Sequence, residues 1–486
     1  MGTVTVEYVE RTKNNPLDDH REKNVTEGEI PRLKMNEKLA FGIGDFGANY
    51  SWTFIASFLI IYMTDIVGIS AGIIGTIILI SRITDGFTDL FMGTLVDNTN
   101  TKMGKARPWV FWTAPILGLL TFMLFNVPGI LGQTEKIIYI SIVYFLISTV
   151  FYTANNVAYS SLTSFITNNK KDRVSLGSIR FIFAQLAVLS ITTFTTFIVS
   201  AFGGGQQGWT ATTIIYALLC AVPLMITGFF VKERNVANRT DSKGTKKKVP
   251  FFLIMKVLLT NKYFIITITL YLLWYLRQTD NAMRIYYATY IFDNADIMAL
   301  LSLATTLPAV IGLMFAPKIV EKWGIRNSII AGLIISLVSY VMMAVFSEDL
   351  TLLTIGLIVN AIGLVPFTAA LSAIVADVGD LIYWKSGVPV QGSVFSLTSA
   401  GMKIGSGLQV AIVGWALSMG GYIAGANVQP DSAIIAMKSM QIYFPFLIVI
   451  ILMLITFKLN YEKFISAVKE EIHIGKVGEN RSKSLM

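Results

Sequence analysis

Apolar stretches about twenty residues long alternate along this chain with short polar breaks rich in charge, glycine or proline. A stretch of that length crosses a bilayer core as one helix. Twelve spans are expected, at about 38–63, 71–96, 108–128, 137–165, 174–202, 210–231, 264–291, 297–317, 327–346, 351–375, 389–419 and 439–459. The pattern predicts an all-α, polytopic membrane protein.

The basic residues orient these spans. Arg11, Lys13, Arg21, Lys23, Arg32, Lys34 and Lys38 lie before the first; Lys102, Lys105 and Arg107 are in the second loop; Lys170, Lys171 and Arg173 are in the fourth; Lys318, Lys322 and Arg326 are in the eighth. Lysines from Lys458 to Lys483 follow the last span, whereas loops one, five, seven and nine carry no basic residue. By the positive-inside rule both tails and the even loops are expected in the cytoplasm, and twelve spans satisfy the alternation without any forced exception.

The longest internal polar stretch, from Lys232 to Lys248, follows span six and reads as a basic linker. The expected organisation is an N-tail 1–37, a six-helix bundle 38–231, a linker 232–262, a second bundle 263–459 and a C-tail 460–486. The halves rhyme: Asp97 with Gly104-Lys105-Ala106-Arg107 follows span two, and Glu321 with Gly324-Ile325-Arg326 follows span eight. Six plus six helices with a matching loop in each half is the repeat arrangement of secondary transporters, whose sites lie between the halves near mid-membrane.

Composition narrows the chemistry. Charged residues are 14% and hydrophobic residues 54% of the 486, and mean hydropathy is +0.62. The single cysteine, Cys220, lies in an apolar run, and the two histidines, His20 and His473, lie in the tails. No cofactor and no metal beyond a transported cation is therefore expected. The net charge of +9 sits in loops beside apolar spans, so its partner is expected to be membrane lipid and not nucleic acid. The polar first 38 residues lack a signal-peptide pattern.

An ionisable side chain at mid-bilayer costs about 2.5 to 3.5 kcal/mol on insertion scales, so such residues mark cavities. In span two Arg82, Asp85, Thr88 and Asp89 share one helical face. Two carboxylates one turn apart repel, and a bound cation, a shared proton or the arginine must compensate. A salt-bridge network is the plain alternative to a cation site. Tyr152, Thr153, Asn156 and Ser160 share a face of span four, as a site or as interhelical polar contacts. Asp45, Asn49 and Trp52 line up in span one, and an acid, an amide and an indole suit a sugar, which offers hydroxyls and an apolar ring face. In span seven Arg277, Asp280 and Arg284 form either a self-neutralising ladder or a receiver for a substrate carboxylate, which would favour a hexuronide.

Gly44-Asp45-Phe46, Arg82-Ile83-Thr84-Asp85-Gly86-Phe87-Thr88-Asp89 with Met92-Gly93, Gly104-Lys105-Ala106-Arg107-Pro108-Trp109 and Tyr152-Thr153 resemble the glycoside-pentoside-hexuronide:cation symporters, the melibiose permease group of the major facilitator superfamily. The resemblance runs from about residue 36 to 460. It implies the major facilitator fold and a probe-able division of labour: Asp85, Thr88, Asp89 and Thr153 bind the cation, sodium or a proton. Asp45, Tyr152 and Arg180 match sugar-site residues, with Asn49, Trp52 and Asn156 beside them. Lys403, in Ala400-Gly401-Met402-Lys403, matches a span-eleven lysine close to the cation site and is grouped with the sugar contacts. Thr88 stands where melibiose permease has an asparagine, Asn156 where it has a sugar-binding aspartate, and Ser160 where it has a tryptophan, so galactoside specificity does not carry over.

The expected function is cation-coupled sugar import by a monomer in the plasma membrane. A carrier of amphipathic lipids or drugs on the same fold is the alternative, disfavoured by the polar groups expected in the cleft. An enzyme would need a nucleophile, base or metal set that the composition does not supply.

Overall fold

The computed structural model describes residues 32–167, 170–234, 251–388, 390–426 and 428–473. The basic residues up to Lys23, the linker residues 235–250 and the tail beyond 473 lie outside the described residues. Among those described, structure is helical, apart from one isolated bridge between Thr101 and Gly104.

In the first half the helices are α1 (Met35–Asp65), α2 (Ala71–Asn98), α3 (Arg107–Leu124), α4 (Gln133–Phe145), α5 (Thr153–Ile166), α6 (Lys170–Ala201) and α7 (Gly205–Phe230). A π-helical segment, Leu146–Tyr152, joins α4 to α5 in one rod. In the second half they are α8 (Phe251–Leu259), α9 (Lys262–Leu276), α10 (Thr279–Tyr290), α11 (Ile297–Trp323), α12 (Ile325–Val345), α13 (Leu350–Ser386), α14 (Gln391–Met419), α15 (Asp431–Lys438), α16 (Phe444–Thr456) and α17 (Glu462–His473). Here too a π-helical segment, Ser439–Tyr443, makes α15 and α16 one rod.

Nine of these rods are long and apolar enough to cross a membrane, and the segment from α8 to α10 makes a tenth. α1 and α2, which carry Asp45 and the Arg82, Asp85, Asp89 stripe, are not among these ten. With those two included, the helices are consistent with the twelve expected spans.

Three spans differ most from expectation. Span seven is interrupted at Arg277 and Gln278, between α9 and α10. Span ten continues beyond 375 to Ser386, where Gly387 at φ 67° closes it, because Asp377 on its last turns meets Lys469 of α17 at 2.6 Å. Span twelve begins at Asp431. The polar stretches are also partly helical: α8 stands at 85° to the helix that follows, and α17 packs on α13, where Trp384 Nε1 donates to Glu471 at 2.6 Å.

The rhyme between halves has a structural cause. Glu233, just after α7, accepts the backbone N–H groups of Lys105, Ala106 and Arg107 at 2.8 to 2.9 Å. Glu462, just after α16, accepts those of Ile325 and Arg326 at 2.5 and 2.9 Å. In each half a carboxylate from beyond the sixth span caps the third, satisfying free N–H groups and the positive end of the helix dipole. Gly104 (φ 115°) and Gly324 (φ 78°) make the turns. A Cβ at Gly104 would lie 2.6 Å from the Glu233 carboxyl carbon.

Two apolar cores run through the molecule. One belongs to the second half alone; the other fills the first half and extends into Ala282–Ala288, Met298 and Val410–Leu417 of the second. The halves are therefore fused on the side away from the termini.

Candidate functional site

A cavity of about 610 Å³ lies between the halves. From the first half it is lined by Trp52, Arg82, Asp85, Asp89, Tyr144, Tyr152, Thr153, Asn156, Gln185 and Thr192; from the second by Gln278, Asn281, Arg284, Thr305, Lys403, Ser406 and Gln409. Nine of these were singled out by sequence as ionisable or face-sharing residues. Their meeting has local causes. α2 presents Arg82, Asp85 and Asp89 along one stripe. The π-helical segment shifts the register of the fourth span and points Tyr152 and Thr153 at them; the Thr153 hydroxyl donates five residues back, to Ser148 O at 3.1 Å.

Asp85 is buried and takes a hydrogen bond from the Thr149 hydroxyl at 2.7 Å, with Arg82 Nη1 at 3.6 Å. Asp89 is paired across the halves: Lys403 Nζ lies 2.5 Å from its Oδ2 and 3.2 Å from the Asp85 carbonyl oxygen. Lys403, grouped by sequence with the sugar contacts, thus places its ammonium against the acid pair. Of the compensations foreseen for the repelling carboxylates, the arginine is present, on Asp85; the Lys403 ammonium on Asp89 is one that was not foreseen.

Beside the acids stands an aromatic stack. The Trp52 and Tyr152 rings lie 4.3 Å apart and 19° from parallel, and the Arg82 guanidinium carbon lies 3.7 Å from the Trp52 ring centre.

Some expected residues are elsewhere. Asp45 and Arg180 form a 3.0 Å ion pair with each other and do not line the cavity; Arg180 also reaches Ser160 Oγ at 3.3 Å. Asn49 donates to the Asp45 carbonyl at 2.8 Å and stays outside the cavity wall. Thr88 donates to its own helix, at Asp85 O, 3.2 Å, so its hydroxyl is not turned to the carboxylates; Thr149 supplies that contact. In the span-seven ladder only Arg284 lines the cavity; Arg277 and Asp280 stand behind it.

Sequence reasoning missed Thr149, Gln185, Thr192, Gln278, Asn281, Ser406 and Gln409. Thr149 was legible as the next step back on the Tyr152, Asn156, Ser160 face, and the amides as polar groups inside spans.

The far side of the cavity is closed by a latch. Asp65, the last residue of α1, accepts the hydroxyls of Tyr290 at 2.6 Å and Tyr422 at 2.5 Å, and Thr64 meets Tyr286 at 3.0 Å. Burial, then Tyr286 and the Asp65 carboxylate, push the Tyr422 phenol far above its ordinary range, so it remains a donor.

Two helix bundles of six around a polar central cavity define a major facilitator transporter. The chain belongs to the MFS/sugar transport protein family, whose model matches residues 40–463, and with it to the glycoside-pentoside-hexuronide:cation symporters. It is 29% identical to the isoprimeverose transporter of Lactiplantibacillus pentosus over 85% of this chain and 86% of that protein. It is 26% identical to the inner membrane symporter YicJ of Escherichia coli over 83% and 86%, and 24% identical to the glucuronide carrier protein homolog of that species over 82% and 88%. Two solved structures share its fold: the nucleoside transporter NupG (TM-score 0.63, 16% identity, 88% of this chain and 100% of that one) and a D-xylose-proton symporter (0.57, 13%, 85% and 96%). The protein is a multi-pass membrane transporter and not an enzyme, and at the level of its family a sugar symporter.

Proposed function

We propose that this chain imports a sugar together with sodium or a proton by alternating access of its two bundles, 38–231 and 263–459. The observation that carries the reading is the Lys403 ammonium on Asp89, with Asp85 one turn away. Two acids that must be neutralised, one of them by a mobile side chain of the opposite half, form a site where a coupling cation competes with a lysine. Asp85, Asp89, Thr149 and Thr153 offer carboxylate and hydroxyl oxygens suited to a hard cation; a proton needs only one of the carboxylates. Trp52, held between Tyr152 and the Arg82 guanidinium, and Tyr152 stacked on it line the cavity with aromatic surface for the apolar part of a sugar, and Asn156, Gln185, Gln278 and Asn281 offer amides to its hydroxyls. Asp45 and Arg180 act behind that wall, as a pair bracing α1 against α6.

Lys403 belongs to the coupling step: when the cation takes Asp89, the ammonium is released into the cavity and the tie between halves breaks. The lysine-rich side, with both termini, faces the cytoplasm of a plasma-membrane monomer. The test is uptake of a sugar panel into proteoliposomes with an imposed sodium or proton gradient. Accumulation above the external concentration supports the reading, and uptake that only equilibrates in both gradients contradicts it.

A further inference from the structure

The charged side chains gathered at mid-membrane do not cancel. Asp45 is paired with Arg180 at 3.0 Å, Arg82 with Asp85 at 3.6 Å and Lys403 with Asp89 at 2.5 Å. What remains is Arg277, Asp280 and Arg284, where two guanidiniums share one carboxylate at 3.9 and 3.4 Å. All three are 5 to 7% exposed. A buried cation without a counterion is costly, so this cluster is one negative charge short.

The two arginines are not equivalent. Arg277 is turned away from the cavity, donating to the Tyr340 hydroxyl at 3.0 Å and lying 4.9 Å from the Trp274 ring centre. Arg284 lines the cavity and is poorly satisfied: it has one good hydrogen bond, to Asn281 Oδ1 at 2.9 Å, and two at the limit, 3.4 Å to Asp280 and 3.5 Å to Ser302. Its Nε, like that of Arg277, is buried without a partner, so it is cavity lining and not this atom that distinguishes the two. We infer that the cavity takes a sugar carrying one anionic group, a carboxylate or a sulfonate, and that Arg284 reads that group; the inference rests on the sugar-symport reading. A guanidinium fork offers parallel donors to a planar anion, and Gln278 and Asn281 stand beside it for the neighbouring hydroxyls.

The test is calorimetric binding of matched probes to the purified full chain at fixed sodium and pH. The pairs are methyl β-glucuronide with methyl β-glucoside and methyl β-galacturonide with methyl β-galactoside, with the 6-sulfo analogue of methyl β-glucoside as a third arm separating sulfonate from carboxylate. In at least one ring series the anionic member is expected to bind about tenfold or more tighter than the neutral one, the scale of a charge-assisted hydrogen bond. Arg284→Gln and Arg284→Lys should each erase most of that preference. Because Arg284→Gln alters the partners of Asp280, the double variant Asp280→Asn with Arg284→Gln is measured beside it, with the same loss expected. Equal or tighter binding of the neutral member in every series, or a preference that survives in the variants, overturns the inference and leaves sugar symport standing. No binding by any probe overturns both.

Discussion

The pair α2 and α14 is sealed at one end and parted at the other. Away from the termini, a Cβ at Gly75 would lie 2.9 Å from Ala411 Cα, one at Gly414 would lie 2.3 Å from Ala71 O, and the Ser70 and Ser418 hydroxyls meet at 3.3 Å. Towards the termini, Gly86 and Gly93 continue the Gly75, Arg82, Asp89 stripe of α2, yet a Cβ at either would meet nothing within 4 Å; Gly392 on α14 is equally free. Between the two regimes lie the contact of Gly407 with Arg82 and the Lys403 to Asp89 bridge. The difference teaches where the hinge is. Closure depends on small residues that let backbones touch, while the parted end carries the same small residues unused, and the charged site sits at the changeover. A carrier that alternates needs both ends to be closable, and the glycines mark both.

The largest expected effect is at the changeover. Asp89→Asn removes the acid that Lys403 and a coupling cation share, so gradient-driven accumulation in proteoliposomes should be abolished while the variant still inserts and folds. Undiminished accumulation would remove Asp89 from the coupling site. Next come the ends. Gly75→Leu puts a side chain into the sealed seam, and transport should fall by a factor of about a hundred or more, as expected for several kcal/mol of overpacking that closure must overcome. Gly93→Leu meets open space in the state described, so thiol labelling of Ser406→Cys from the terminus side should be unchanged by it. Labelling lost in the Gly93 variant, or full transport in the Gly75 variant, breaks the comparison.

A smaller effect is expected at the latch. Asp65→Asn weakens two charge-assisted hydrogen bonds from tyrosines, costing the closed far side about 1.5 to 3 kcal/mol. An impermeant thiol reagent added from the far side should then label Ser57→Cys, which lines the cavity, about ten times faster or more. An unchanged rate would show that the glycine seam alone keeps that side shut. The smallest is at the platform: Trp52→Phe keeps a ring against Tyr152 and should weaken sugar binding by about 1 kcal/mol in calorimetry.

Spans, loop charges and the stripe of α2 were readable from sequence because each is a local regularity: length, sign and steps of three and four. The acid pair could be named for the same reason. What sequence could not give is which charges choose each other. Asp45 and Arg180 were both read as sugar ligands, and the fold brings them together instead, 135 positions apart along the chain. Thr88 shares the acids' face, but its short side chain finds a carbonyl of its own helix first. The π-helical turn itself leaves no periodic signature, so Thr149 could be placed on the Tyr152 face but not paired with Asp85, and Glu233 and Glu462 are unremarkable acids until the third helix of each half is set against them.

The central claim is coupling between the Asp85 and Asp89 site and the sugar cavity, and reciprocity tests it most directly. Sugar affinity of the purified protein is measured with sodium replaced by choline and at several pH values, and the affinity of the responsible cation is then measured with and without sugar. The account predicts that one cation, sodium or the proton, raises sugar affinity by some factor and that sugar raises the affinity of that cation by the same factor. A sugar affinity independent of both sodium and pH would contradict it.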